Sequence, residues 1–328
     1  MKNTTIITLA AMLLGSAGAI AQEAFTKPAG FVTIDYGVGY SYVGLSLHSP
    51  TQTASSVVSA AGNVVSVSSG GADGLTSGIK YIMEITSGVA SGTIQELTVF
   101  DNGANTLTTQ DDISADLSPG DKYEIRAAAT LASVFGINNE AGITGAGNAA
   151  SSTQIWVPGS AGFDKYRFHD FFGTKEWRRI NSNSTETVID PLTIPLIYSD
   201  GLVIFAPSAG SFVLTGSVKT GATSIALTGS FNFVGGVYPV GTTLESTFGA
   251  NNESGLDAAG NTASADQIWV PQSAGGFKKY FYYSFFATNE WREINPDNST
   301  VVVDPSTVNM ESGYVLLINF LYKKLKSV

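Results

Sequence analysis

The sequence predicts an all-β fold, built of tandem duplicated β-sandwich or barrel-like units with very little helix. Three observations carry that prediction. Val, Ile, Thr, Tyr and Phe recur in short runs between turn residues, the pattern of half-buried strands. Glycine is abundant at 36 residues while Lys plus Arg is scarce at 17, as in a turn-rich chain of short strands. Finally, Leu131–Asn181 recurs as Leu244–Asn295. The two segments share Phe135/Phe248, Asn138-Asn139-Glu140/Asn251-Asn252-Glu253, Gly147-Asn148/Gly260-Asn261, the string QIWVP, and Glu176-Trp177-Arg178/Glu290-Trp291-Arg292.

Residues 1–21 read as an export signal: Lys2 is the positive start, Ile6–Leu14 the apolar core, and Ala19-Ile20-Ala21 the small-residue cleavage site. A bilayer crossing needs about 20 apolar residues, and Gly15-Ser16 ends this run earlier. No transmembrane segment is expected after signal cleavage, and the mature chain is expected to be extracellular, on the cell surface or periplasmic. In the N-terminal β-region, residues 22–130, strands are expected at Tyr81–Ile85, Ile94–Phe100, Thr106–Thr109 and Lys122–Arg126, separated by turns at Ser87-Gly88, Asp101-Asn102-Gly103 and Ser118-Pro119-Gly120-Asp121. The Ser-, Ala- and Val-rich stretch Thr51–Gly78 reads as a long loop or a weakly specified hairpin.

The first repeat unit spans 131–206 and the second 244–322. Each opens with apolar residues four apart followed by glycine, Leu131/Phe135/Gly136 and Leu244/Phe248/Gly249, which predicts a single helical turn with a C-terminal stop. Between them, the β-segment 207–243 alternates like strands, with turns expected at Gly216, Gly221, Gly229 and Gly235-Gly236. Residues 323–328 form a basic tail, read as a solvated end or, alternatively, as a segment that docks on the acidic face of a neighbouring subunit.

The combination of ITSG at 85, LSPGDKYEIR at 117 and two copies of GNxxSxxxQIWVP, an aromatic strand, EWRxIN and Asp-Pro resembles a verrucomicrobial family of secreted β-rich proteins of unknown function. The resemblance implies secretion and a β-fold and supplies no activity.

Composition removes several function classes. The formal net charge of −10 repels phosphate backbones, so nucleic acid is not an expected partner. With no cysteine and two histidines, His48 and His169, thiolate metal sites and cysteine nucleophiles are excluded. No metal or cofactor is expected. No nucleophile elbow, phosphate loop or Ser/His/Asp signature occurs, and the acids Glu140, Glu176 and Asp190 each have a counterpart in the other copy, which favours architecture over catalysis.

The copies differ informatively in one strand. Tyr166 and Phe168 match Tyr280 and Tyr282, which predicts core positions, whereas Arg167 and His169 become Phe281 and Tyr283, which predicts outward positions by alternation. Lys279, Phe281 and Tyr283 are therefore the candidate ligand-binding residues, with two readings for Phe281 and Tyr283: rings covered by the intervening segment or the partner repeat, as large apolar side chains usually are, or exposed rings for a sugar or a protein contact. Trp156/Trp269 and Trp177/Trp291 are expected in the core. The Asn-Asn-Glu loops read as tight turns rather than calcium loops.

Three functions follow: a secreted, non-enzymatic structural or cell-surface protein that assembles with itself; a carbohydrate-binding or adhesive module for extracellular polysaccharide; and an unrecognised polysaccharide-acting enzyme.

Overall fold

The computed structural model describes residues 29–159, 162–227, 230–238, 240–272, 276–318 and 323–326. The expected export signal lies outside them. The chain begins with β1 (Ala29–Tyr36), β2 (Gly39–Val43) and the short β3 (Leu47–His48). Six strands follow, β4 (Thr51–Ala61), β5 (Val64–Val67), β6 (Tyr81–Ile85), β7 (Ile94–Asp101), β8 (Thr106–Thr109) and β9 (Lys122–Ala127). They close as a barrel in the order β4-β5-β8-β7-β6-β9. The chain continues through β10 (Ala129–Thr130), α1 (Leu131–Phe135), β11 (Gln154–Gly159), β12 (Gly162–Phe171), β13 (Thr174–Ile180), β14 (Glu186–Val188), β15 (Pro195–Leu196), β16 (Leu202–Ala206) and β17 (Gly210–Val218). The remainder comprises β18 (Ser224–Leu227), β19 (Ser230–Gly235), α2 (Leu244–Phe248), β20 (Gln267–Pro271), β21 (Phe277–Phe285), β22 (Thr288–Ile294), β23 (Thr300–Val302), β24 (Gly313–Ile318) and β25 (Lys323–Lys326). The fold is all-β, and α1 and α2 are its two α-helices among the described residues.

The two copies build matching six-stranded sheets, β2-β16-β11-β12-β13-β14 and β19-β24-β20-β21-β22-β23. The match extends beyond the repeated segment. β2 pairs with β16 as β19 pairs with β24, and β1 pairs with β17 as β18 pairs with β25. Tyr40-Ser41-Tyr42-Val43-Gly44 thus stands where Phe231-Asn232-Phe233-Val234-Gly235 stands in the second sheet. The barrel is an insertion between β2 and α1 of the first copy. The Lys323–Lys326 tail, expected as a solvated end, is instead a strand paired with β18. Gly216, expected in a turn, lies inside β17; a Cβ there would meet the His48 carbonyl oxygen at 2.5 Å, so glycine permits the β3 approach.

Each local device appears in both copies. Ser133 N donates to Thr130 Oγ1 at 3.1 Å and Thr130 N to Ser133 Oγ at 2.8 Å, a reciprocal cap; Thr243 and Ser246 repeat it. Each helix stops at a glycine with positive φ, Gly136 and Gly249, where a Cβ would collide with the Glu140 or Glu253 carboxylate. Those carboxylates are occupied as turn locks: Asn138 N donates to Glu140 at 3.0 Å and Asn251 N to Glu253 at 2.9 Å. These bonds from neighbouring backbone hold both acids below the usual carboxylate range.

The cores follow the predicted alternation. Tyr166, Phe168 and Trp177 are buried in the first copy, and Tyr280, Tyr282 and Trp291 in the second. Trp177 Nε1 donates to the Gly136 carbonyl at 2.9 Å and Trp291 Nε1 to that of Gly249 at 3.0 Å, tying each sheet to its helix stop. The barrel has its own apolar core, including Val65, Met83, Ile85, Leu107 and Ile125. Thr51–Ala61 and Val64–Val67 form one of its hairpins, as the alternative reading of that stretch predicts.

The two sheets meet where Tyr42 Oη donates to the carbonyls of Val234 and Tyr314, each at 3.2 Å. Asp200, bridged to Val234 at this junction, has its pKa pushed up to about 7 by burial and by the nearby Glu96 charge, against a Ser199 hydrogen bond. A carboxyl whose folded pKa lies above its unfolded value contributes most below the unfolded value and loses that contribution as pH rises through the folded one. Asp200→Asn is therefore expected to raise Tm at pH 8 and leave it unchanged at pH 4; an equal shift at both would contradict this assignment.

Candidate functional site

The face of each sheet opposite the core divides into a covered half and an aromatic half. The covered half lies under the loop that carries the Gly-Asn landmark. In the first copy Ala146 bridges in parallel to His169, and Asp170 N donates to the Ala146 carbonyl at 3.3 Å. In the second, Ala259 bridges to Tyr283 and Ser284 N donates to Ala259 at 3.2 Å.

This loop decides between the two readings of the differing strand positions in favour of cover. They do face away from the core, yet Phe281 is only 1% exposed, because loop and strand pair over it. Its ring meets Tyr283 edge-on at 6.4 Å, and Tyr283, half-buried, lies under the Arg292 guanidinium at 3.7 Å. In the first copy the same place holds Arg167, whose Nε and Nη2 reach Glu186 at 2.7 and 2.6 Å. Arg167 Nη1 donates to the Ala146 carbonyl at 2.8 Å, and Nη2 lies 3.3 Å from His169 Nδ1. Across the strand pair Glu186 corresponds to Thr300. A buried ion pair in one copy is thus an aromatic pair with a hydroxyl in the other.

Lys279, the third candidate, lies apart from Phe281 and Tyr283, in the aromatic half. Its Nζ sits 4.0 Å over the Trp269 ring, as Lys165 sits 3.8 Å over Trp156. These tryptophans, expected in the core, are half-buried on the opposite face, since Ile155 and Val157 take the inward positions. The QIW string explains their placement. Trp156 Nε1 donates to Gln154 Oε1 at 3.0 Å while Gln154 Nε2 donates to the Ala149 carbonyl at 3.0 Å; Trp269, Gln267 and Thr262 repeat the relay. Each indole is fixed in orientation before any ligand arrives.

Around Trp156 lie Tyr40 at 5.3 Å and Phe163 at 6.0 Å; around Trp269 lie Phe231 at 5.3 Å and Phe277 at 6.1 Å. Phe163 meets Phe233 of the second sheet at 4.7 Å, so the two aromatic groups join at β19. Tyr40, Phe231 and Phe277 are exposed.

A second exposed feature occurs at the β12–β13 and β21–β22 hairpin tips. Phe171 and Phe172 pack at 4.1 Å, and Phe285 and Phe286 at 4.2 Å. The inner ring of each pair rests on a glycine of the Gly-Asn landmark: a Cβ at Gly147 would come within 2.8 Å of Phe171, and one at Gly260 within 3.0 Å of Phe285. The outer rings are 93% and 86% exposed, with φ of 49° at Phe172 and 45° at Phe286. A bulky side chain at positive φ is a strained outlier that glycine or asparagine would relieve. The sequence signal was two adjacent phenylalanines ahead of a turn in each copy.

Acidic chemistry concentrates elsewhere, where the barrel joins the first copy. Buried Glu84 is engaged by Lys219 Nζ, by Arg126 at 3.6 Å and by Tyr198 Oη at 3.3 Å; Glu124 pairs with Arg126 at 2.8 Å. Glu84, Glu124, Arg126 and Lys219 border a cleft of about 220 Å³. Each carboxylate is bound by a cation, an arrangement that clamps the two bodies together. Among the described residues no cluster of three or more metal-ligating side chains occurs, and no helix is long and apolar enough to cross a membrane.

Comparison with family models, curated proteins and solved structures gives no match to this chain.

Proposed function

We propose that this is an exported, non-enzymatic β-protein of the cell surface or its surroundings that associates with itself through apolar features held outside its cores. The observation that carries the reading is the pair of strained, exposed phenylalanines at the same hairpin tip of both sheets. Neither ring serves as a core residue, and the strained backbone costs stability in each copy. A contact made outside the chain accounts for both. The acidic, cysteine-free composition and the resemblance of the sequence motifs to secreted β-rich proteins agree with export.

The aromatic halves of the sheets favour a second reading, in which the same protein holds extracellular polysaccharide. Indoles fixed by glutamine and flanked by exposed rings supply apolar faces for sugars, and Lys165 or Lys279 would have to swing off the indole for stacking.

Light scattering on the signal-free protein over a concentration range tests the first reading, with mass expected to grow with concentration. A constant monomer mass would refute it. Retention on an insoluble polysaccharide, lost on Trp269→Ala with Phe277→Ala, would establish the second reading.

A further inference from the structure

The aromatic halves of the two sheets share a charge feature that the rest of their hairpins lack. The other cations of these hairpins are paired with acids: Arg179 with Asp164 and Arg178 with Glu176 in the first copy, Lys278 with Glu293 and Arg292 with Glu290 in the second. Lys165 and Lys279 differ. Among the described residues neither ammonium has a carboxylate partner, and each rests on an indole instead, 3.8 Å over Trp156 and 4.0 Å over Trp269. Strand alternation produces the difference. Asp164 and Arg179 share the strand face of Tyr166, and Lys278 and Glu293 share that of Tyr280, so these acids point away from the indole side. On their own face the lysines have only apolar cross-strand neighbours, Trp156 and Ile180 for Lys165 and Trp269 and Ile294 for Lys279.

We propose, building on the polysaccharide reading, that these platforms bind a polyuronate, a polysaccharide whose sugar rings carry carboxylates. Charge selects that occupant. In a chain with 27 acids against 17 lysines and arginines, an ammonium without a carboxylate stands at the same register of both copies, each time within a group of aromatic rings. A pyranose offers an apolar face to an indole, and a uronate carries its carboxylate directly on that ring, where the ammonium starting from the same indole meets it. A cation over a partly exposed ring is held weakly, so the arriving carboxylate draws the lysine aside and the sugar takes the indole face. Gln154 and Gln267 already accept the indole N–H groups, which leaves the ring face and the ammonium as the binding chemistry.

Repulsion from the acids elsewhere on the chain does not forbid this contact, because it is screened over about 8 Å at physiological ionic strength whereas the lysine and carboxylate meet directly. An anionic bilayer fits less well: Trp156 and Trp269 are half-buried in a sheet face, set to flank a ligand laid on the sheet rather than to insert.

Calorimetric titration of the signal-free protein, at concentrations where light scattering shows no growth, compares polygalacturonate with its fully methyl-esterified form, which keeps the rings and removes the charge. The acid form is expected to bind more tightly. Lys165→Met and Lys279→Met should each weaken that binding about fivefold, the order of an exposed ion pair. Both should leave binding of the ester unchanged or stronger, since the indole face is uncovered, and Lys279→Arg should bind the acid form like wild type. Equal affinity for acid and ester would overturn the carboxylate assignment and leave the polysaccharide reading standing. Equal losses toward both polymers in the Met variants would show that the lysines only hold the platform in shape, and would also overturn it. Binding to neither polymer, with retention on an insoluble neutral polysaccharide intact, would overturn the proposal alone; without that retention both readings fail. Binding confined to phosphatidylglycerol vesicles and lost in the double Met variant would assign the platforms to a lipid surface and reject the proposal.

Discussion

Glu186→Ala is expected to destabilise the protein by about 3–5 kcal/mol, the cost of leaving a buried charge without its partner. The Arg167 side chain is 1% exposed and Glu186 holds two of its nitrogens. Without that carboxylate the guanidinium retains only carbonyls, the Ser152 hydroxyl and the His169 ring. The second copy supplies the compensated alternative. Converting Arg167→Phe, His169→Tyr and Glu186→Thr together reproduces Phe281, Tyr283 and Thr300 at the matching registers. The triple variant should recover most of the loss, since replacing a buried pair by packed apolar groups is often neutral or stabilising. Burial would raise the Glu186 pKa, but its bonds to Arg167 and Arg178 prevail and hold it below the usual range. Its contribution is therefore present above the unfolded carboxylate pKa and lost as pH falls through the folded one. Denaturant titrations at pH 7 and pH 3 check both points: the wild type should lose more stability than the triple variant between those values.

Lys219→Met should be comparably costly, with a different signature. Lys219 follows β17 of the first copy and Glu84 lies on β6 of the barrel; their side chains are 2% and 7% exposed. Removing the ammonium leaves Glu84 with Arg126 and Tyr198 alone, at a cost of about 3 kcal/mol or more. Because the barrel has a separate apolar core, the loss falls on the joint. Calorimetry is expected to show the barrel melting ahead of the two sheets, where the wild type melts with them. Adding Glu84→Gln to Lys219→Met should restore part of the coupling by removing the uncompensated charge. A single transition at the wild-type Tm in Lys219→Met would show that the clamp contributes nothing.

Much of this architecture was legible in the residues because the copies act as controls on each other. Side chains common to both, such as Tyr166/Tyr280 and Trp177/Trp291, occupy interiors, and the Asn-Asn-Glu segments are turns closed by their own carboxylates. The YSYVG/FNFVG correspondence was hidden because the barrel separates β2 from the remainder of its sheet, whereas β19 lies close to α2 in sequence. The candidate site was less legible. Alternation assigned Phe281 and Tyr283 to the correct face, and only the long-range pairing of the 259 region decides that this face is covered. Trp156 and Trp269 show the reverse: their size suggests a core, but the pleat places Ile155 and Ile268 inside. The basic tail gave no strand signal of its own, and its pairing depends on β18 being in place.

The proposed self-association requires that the phenylalanine tips act outward while the shared strand positions serve the cores. The combined variant Phe171→Ser, Phe172→Gly, Phe285→Ser and Phe286→Gly tests it most directly, with mass against concentration measured by light scattering alongside Tm. A monomer is expected at every concentration with a Tm close to wild type, since the outer rings are exposed and their turns strained. Association equal to wild type, or a collapse of Tm without any change in association, would contradict it.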